Sequence, residues 1–356
     1  MLDKNISQEY RVFIQSKVVI GLLLLTLVVL FGVYSINVGS YPISPGKLLT
    51  LLMERETDDI FYHIFWSIRL PRTFAAIIAG AGLGLAGVIM QNILRNPLAS
   101  PFTLGVSQGA AFGAAFAIIV LGGGQLHQVG NEAITFYSPY LIVIFAFLGS
   151  LVTVFSILLL SVRRDITPES LILAGVALSS FFGAATMLLQ YFASDMQIAA
   201  TIFWTFGDLG KARWNDISLM VVALILSFTY FFWNSWCYNA LQWGEETAEG
   251  LGVDVKRLRL LGMVISSFVA SVAIAFLGII GFIGLVSPHI MRIFVGNDYR
   301  FLIPYSAILG GLLLLLSDIL ARTIMAPVVL PVGILTSFSG APFFLYLLIK
   351  RRGVMG

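Results

Sequence analysis

Arg69 and Arg72 stand three residues apart in RLPRTFAAIIAGAGLGLAGVIMQNILRNPLA, the stretch from Arg69 to Ala99. Two fixed positive charges open a long apolar segment, and the helix-breaking pair Asn96-Pro97 closes it. Guanidinium groups at a helix end engage carboxylates or phosphates through paired, charge-assisted hydrogen bonds. Two readings are open for this pair. The arginines snorkel toward lipid phosphates at a membrane interface, or they form a basic patch that docks an acidic partner. A second charged pair, Asp318 and Arg322 in LLSDILAR, lies one helical turn apart and reads as a structural i,i+4 ion pair.

The chain shows no further pattern that carries chemistry. It contains no G-x-x-x-x-G-K-[ST] phosphate loop, no H-E-x-x-H and no G-x-S-x-G. Gly46-Lys47 sits alone in a loop. The one cysteine, Cys237, excludes an internal disulfide and a cysteine-based metal site. His63, His127 and His289 are far apart and form no ligand motif. Non-enzymatic function is therefore expected, with no metal and no cofactor bound. A net charge of +3 gives no case for nucleic acid. A proton- or sodium-driven carrier keeps ionisable groups near mid-membrane, and Asp318, paired near a helix end, fits that poorly.

The elements that must position these residues are membrane helices. Hydrophobic residues make up 58% of the 356, charged residues only 11%, and mean hydropathy is +0.95. A soluble chain of this length needs more polar surface. The apolar runs are continuous rather than alternating, which argues for helices over a β-barrel. Spans are expected near 18–36, 66–90, 102–121, 139–162, 169–192, 215–236, 260–280, 282–296, 302–322 and 329–349. The eighth is short and interrupted by Pro288, so it reads as a half-helix or a broken helix. Val18–Val33 lacks a following A-x-A-like site and reads as a retained first crossing rather than a signal peptide.

With ten spans both termini share a side. Fourteen of the 21 Lys and Arg fall there, including Arg163 and Arg164, which makes that side cytoplasmic. Lys47, Arg55, Arg69, Arg72, Lys211, Arg213 and Arg322 fall on the other side or at span ends. Gly80, Gly82, Gly84 and Gly87, with Ala76 and Ala79, form small-xxx-small rows that let helix backbones approach closely in lipid. GAAFGAAFA (Gly109–Ala117) repeats the device. On the cytoplasmic side, WGEETAEGLGVDVKRLRLLG (Trp243–Gly262) carries Leu251, Val255, Leu258 and Leu261 at helical spacing. Gly250 and Gly252 permit a sharp bend between two helices. A loop with its own apolar stripe is suited to touching a soluble partner.

These stretches resemble the iron-chelate and cobalamin permease family of ATP-binding-cassette (ABC) importers. The resemblance covers almost the whole chain, from Ile43-Ser44-Pro45-Gly46 to Leu347, and rests on five stretches in order. They are IRLPRTFAAIIAGAGLGLAGVIMQ, RNPLASPFTLGVSQGAAFGA, LILAGVAL, GFIGLVSPHIMR and LPVGILTSFSGAPFFLYLL. It implies an all-α polytopic fold of about ten transmembrane helices, the type II ABC importer permease fold, as a single domain over residues 1–356. It implies a homodimer in the cytoplasmic (inner) membrane, two separate ATPase subunits inside that use ATP and Mg, and an extracytoplasmic binding protein that delivers cargo. Arg69, Arg72 and Arg322 match the family's docking arginines, although Asp318 could occupy Arg322. Asn96, Pro97 and Leu98 look like part of a cytoplasmic gate, and Thr167, Pro168 and Glu169 like a second gate loop. Pro168 and Glu169 replace small hydroxyl residues of one well-known pattern. Glu245, Glu246, Ala248, Gly252 and Arg257 fall in the loop similar to the ATPase-coupling loop. Ferric siderophore is the first expectation for cargo by frequency in the family, with cobalamin, haem and molybdate or tungstate as alternatives.

Overall fold

A bilayer offers no water to the backbone, so apolar runs of this length fold as helices that satisfy their own N–H and C=O groups. The computed structural model describes residues 2–39, 60–123, 126–129, 132–135, 139–161 and 167–352. The Ile43–Gly46 stretch, Lys47, Arg55, Arg163 and Arg164 lie outside the described residues. The helices are α1 (Leu2–Asn37), α2 (Ile60–Ile93), α3 (Val106–Ile119), α4 (Pro139–Ser161), α5 (Pro168–Tyr191), α6 (Asp195–Thr205) and α7 (Trp214–Trp233). They continue as α8 (Ser235–Leu241), α9 (Glu245–Gly250), α10 (Val255–Leu277), α11 (Ile283–Val295), α12 (Tyr299–Thr323) and α13 (Val332–Arg352). Seven are long and apolar enough to cross a membrane, and three shorter apolar helices, Val106–Ile119, Ile283–Val295 and Val332–Phe343, accompany them. Each of the ten expected spans falls on one of these.

α2 is the centre of the bundle. Of its most apolar window 89% is buried, against 17% for α5. It packs on α12, α10, α11 and α7, while α3 packs on α4 and α5. The small residues make this possible. Cβ atoms placed on Gly80 and Gly84 would run into the backbone of Gly310 and Ser306 in α12. One placed on Gly87 would strike the Gly284 carbonyl of α11. Gly109 and Gly113 of α3 meet Gly149 and Phe145 of α4 in the same way.

Three local features differ from the sequence expectation. Pro71 stands in the first turn of the α-helical stretch Leu70–Ile93, but α2 extends back beyond it to Ile60 through a π-helical turn, Ile64–Arg69. Leu70 N–H bonds to the Phe65 carbonyl within that turn. The wider turn accommodates a proline, which lacks an N–H and crowds the preceding turn. A short helix, α6, is added after α5, opened by reciprocal hydrogen bonds between Ser194 and Gln197. A two-stranded antiparallel hairpin pairs Leu126–Val129 with Glu132–Thr135. α11 is a half-helix of 13 residues. At about 1.5 Å per residue it covers about 20 Å, short of the roughly 30 Å of hydrocarbon.

The glycine contacts have a measurable consequence. Gly87→Ala forces a methyl group onto backbone and should cost about 1–3 kcal/mol. Gly32→Ala in α1, where nothing lies within 4 Å of the added atom, should be neutral or stabilising by up to about 1 kcal/mol. Melting temperatures of the two purified variants in detergent check this.

Candidate functional site

The chemistry gathers at the two ends of α2. At its N-terminal end the three expected arginines come together, all engaged within the protein. Asp318, fully buried on α12, takes both Arg72 and Arg322. Arg72 Nε donates to Asp318 Oδ1 at 2.8 Å, and Arg322 Nε lies 3.0 Å from Oδ2. The expected Asp318–Arg322 pair is present, and Arg72 joins it from 246 residues away. Arg322 also donates to the Ser35 carbonyl at 3.0 Å, the Val38 carbonyl at 2.9 Å and Ser35 Oγ at 2.6 Å. Arg69, only 6% exposed, donates to the Ile36 carbonyl at 2.8 Å. Asp208 Oδ1 stands 4.0 Å from Arg72 and accepts from Gly210 N–H. One buried carboxylate and the carbonyls at the end of α1 therefore hold a cluster of three cations, with Arg72 Nη2 left without a hydrogen-bond partner among the described residues. An unpaired charge there would carry a large desolvation cost.

At the C-terminal end of α2 the backbone turns sharply. Arg95 adopts a left-handed φ of 46°. Asn96 Oδ1 accepts from Leu98 N–H at 2.9 Å, an Asx-type turn that holds Pro97 at the bend. Asn96, Pro97 and Leu98 are half-buried. The second loop starts α5. Thr167 is its N-cap, Pro168 occupies the first turn, and Glu169 is exposed. Glu169 is near enough for the charges of Arg95 and Arg259 to act on it, so the two expected gate segments lie at one end of the bundle.

The bend expected within Trp243–Gly262 is present at that same end. Gly244 has φ 119° and Gly252 φ 84°, conformations that exclude most side chains. They bracket α9. Asp254 caps α10 by accepting from Arg257 N–H at 3.0 Å. Glu246, Gly252 and Arg257 are exposed, whereas Ala248 is fully buried and anchors α9 to the core. Cys237, Gly252, Asp254 and Arg257 help to line a groove of about 380 Å³. Leu251, 70% exposed, lines it too.

Arg259, which the sequence reading passed over, links the elbow to α2. Its terminal nitrogen contacts Glu245 Oε1 at 2.6 Å, and its Nε donates to the Ile93 carbonyl at 3.1 Å. The last carbonyls of a helix lack intrahelical partners and attract cations, so Ile93 is a natural acceptor. Nearby, Gln91 accepts from Arg292 of α11, and Asn92 donates to the Tyr238 carbonyl of α8 at 3.1 Å. Behind α8, Asn239 and Arg300 both donate to Asp298. Burial would raise the Asp298 carboxyl, but these hydrogen bonds outweigh it and hold it below the usual range. Among the described residues no group of three His, Cys, Asp or Glu could hold a metal ion.

This arrangement, a glycine-packed central helix with a charged cluster at one end and a tethered elbow at the other, sits on a polytopic membrane fold. The model of the FecCD transport family matches residues 25–350, and the chain belongs to that family. A Methanocaldococcus jannaschii chain described as an ABC transporter permease protein is 55% identical, over 97% of this chain and 98% of the relative. The hemin transport system permease protein HmuU of Yersinia pestis is 36% identical over 95% and 97% of the two chains. The vitamin B12 import system permease protein BtuC of Salmonella paratyphi A is 36% identical over 94% and 97%. A solved structure reported as an inward-facing metal-chelate type ABC transporter superposes with a TM-score of 0.79 at 31% identity, covering 92% and 97%.

The buried triad yields a test of stability. Asp318→Ala leaves two buried guanidiniums without their shared counter-charge and should cost about 3–5 kcal/mol. Adding Arg72→Ala should cost much less than the sum of the single changes, because the pair is coupled. Thermal unfolding of the single and double variants in detergent measures both quantities.

Proposed function

We propose that this chain is the transmembrane permease subunit of a binding-protein-dependent ABC importer, working as one domain over residues 1–356. In this reading two copies form a homodimer in the cytoplasmic membrane, with both termini cytoplasmic. Two separate ATPase subunits use ATP and Mg, and the permease binds no cofactor and catalyses no reaction. An extracytoplasmic protein delivers the cargo. The cargo is a metal chelate, with ferric siderophore first and cobalamin, haem or molybdate and tungstate as alternatives. The hemin and vitamin B12 roles named for the relatives support the chelate class.

The observation that carries this reading is the Arg259 tether. An elbow that presents Glu246, Leu251, Gly252 and Arg257 to solvent is bonded directly to the end of the central helix, beside both gate segments. Motion imposed on the elbow by an ATPase is thereby passed to α2 and the Asn96–Leu98 turn. Alternating access follows: ATP binding draws the ATPases together, the elbows move, and the cavity changes its open side. At the other end, the cluster of Arg69, Arg72 and Arg322 is the proposed docking point for carboxylates of the binding protein. Such pairs orient and steer a partner more than they set its affinity. Because these arginines hold internal partners, an incoming carboxylate competes with Asp318 and with the end of α1.

Vesicles that hold this chain with its ATPase and binding protein test both ends. Arg259→Ala should lower cargo uptake by roughly tenfold while the ATPase still copurifies, the scale of a lost coupling contact. Arg69→Glu with Arg72→Glu should weaken capture of the binding protein and leave ATPase assembly intact. Unchanged uptake in the first variant, or equal capture by the second, contradicts the corresponding role.

A further inference from the structure

A cavity of about 480 Å³ opens near the N-terminal end of α2, beside the triad and at the opposite end of that helix from the elbow. The end of α3, the starts of α4 and α7, the end of α10 and part of α6 surround it. Its walls include Ile118, Ile142, Phe203, Trp204 and Phe276. Lys211 and Arg213 also line it. Among the described residues neither cationic side chain has a hydrogen-bond or ion-pair partner. The neighbouring carboxylates, Asp208 and Asp216, the second of which also lines the cavity, each accept a backbone N–H. Asp216 Oδ2 accepts from the Arg213 backbone N–H at 3.0 Å, and Asp208 Oδ1 accepts from Gly210 N–H at 2.8 Å.

From this we infer that the cavity is a binding site for an anionic phospholipid, with Lys211 and Arg213 on the phosphate and the apolar walls on an acyl chain. A free anion would have no use for the aliphatic and aromatic lining, and an acidic protein side chain would not fill the volume. The position favours an amphiphile. The lining comes from the ends of α3, α4, α7 and α10, together with α6 and the link at 210–213, the depth of lipid headgroups, where Trp and Tyr such as Trp204 and Tyr140 concentrate. The flanking helices expose apolar stripes: Ile144, Leu148 and Val152 on α4, and Leu219, Val222 and Ile225 on α7. An acyl chain lying along those stripes can enter the cavity from the side. Burial pulls the Lys211 ammonium below the usual lysine pKa, with Asp208 opposing. A phosphate would add a further opposite charge to that of Asp208. The inference requires only that the chain is embedded in a bilayer, so it stands or falls independently of the transport reading.

Native mass spectrometry of the full chain, delipidated and then offered equimolar phosphatidylglycerol and phosphatidylcholine, tests it. The wild type should retain phosphatidylglycerol preferentially. Lys211→Gln with Arg213→Gln should lower that retention by roughly thirtyfold, as expected for two lost cations near a lipid surface. Phosphatidylcholine binding and melting temperature should stay unchanged. Ala200→Trp, which fills the cavity and keeps both charges, should also exclude the lipid. Equal retention by wild type and the charge variant overturns the proposal. So does displacement of the lipid by millimolar inorganic phosphate, which would mark a simple anion site, or retention that survives the Ala200→Trp filling.

Discussion

Backbone-to-backbone contact between α2 and its neighbours is the constraint from which the rest of the structure follows. Lipid gives helices little hydrophobic reason to associate, so close packing of small residues must supply the attraction. Gly80, Gly84 and Gly87 let α2 lie directly on α12 and α11. A helix held that closely has no room to slide past its neighbours side chain by side chain. It moves with them, as one body, and whatever is attached to its ends moves too.

Both ends are attached through charge. At one end Asp318 draws Arg72 of α2 and Arg322 of α12 to the same carboxylate, and Arg69 and Arg322 reach the carbonyls that close α1. Three helices are bound there by groups that cannot be separated without exposing a buried charge. At the other end Arg259 bridges Glu245 and the Ile93 carbonyl. The two fastenings differ in a way that suits their proposed duties. The triad closes on a fully buried carboxylate, whereas Arg259 pairs with a glutamate that is 40% exposed on a glycine-bracketed elbow. In the proposed mechanism a tightly closed joint at one end and an accessible joint at the other make a lever of the central helix.

Much of this was legible in the sequence because membrane burial imposes long apolar runs and small-residue rows that one chain displays locally. The ten apolar segments, the half-helix around Pro288, the glycine packing, the bend at Gly252 and the Asp318–Arg322 pair all arise from neighbours within a few turns. The Arg72–Asp318 contact does not. It joins residues 246 positions apart, and no spacing rule reaches that far. Arg259 was hidden differently: three basic residues, Lys256, Arg257 and Arg259, share one helix start, and only the fold decides which meets α2. Pro71 marks the first turn of the α-helical stretch, but no local signal announces the π-helical turn that carries α2 back to Ile60. Ser194 and Gln197 did signal α6 through a capping pattern, overshadowed by the stronger apolar runs on either side.

The central claim is that the chain moves cargo only when force is applied at the elbow by a separate ATPase. Vesicles carrying the chain, the cargo-loaded binding protein and a ferric siderophore measure this directly, with and without the ATPase and ATP. The account predicts accumulation above the outside concentration only when both are supplied. Accumulation by the chain without the ATPase, driven by a proton or sodium gradient, would contradict it.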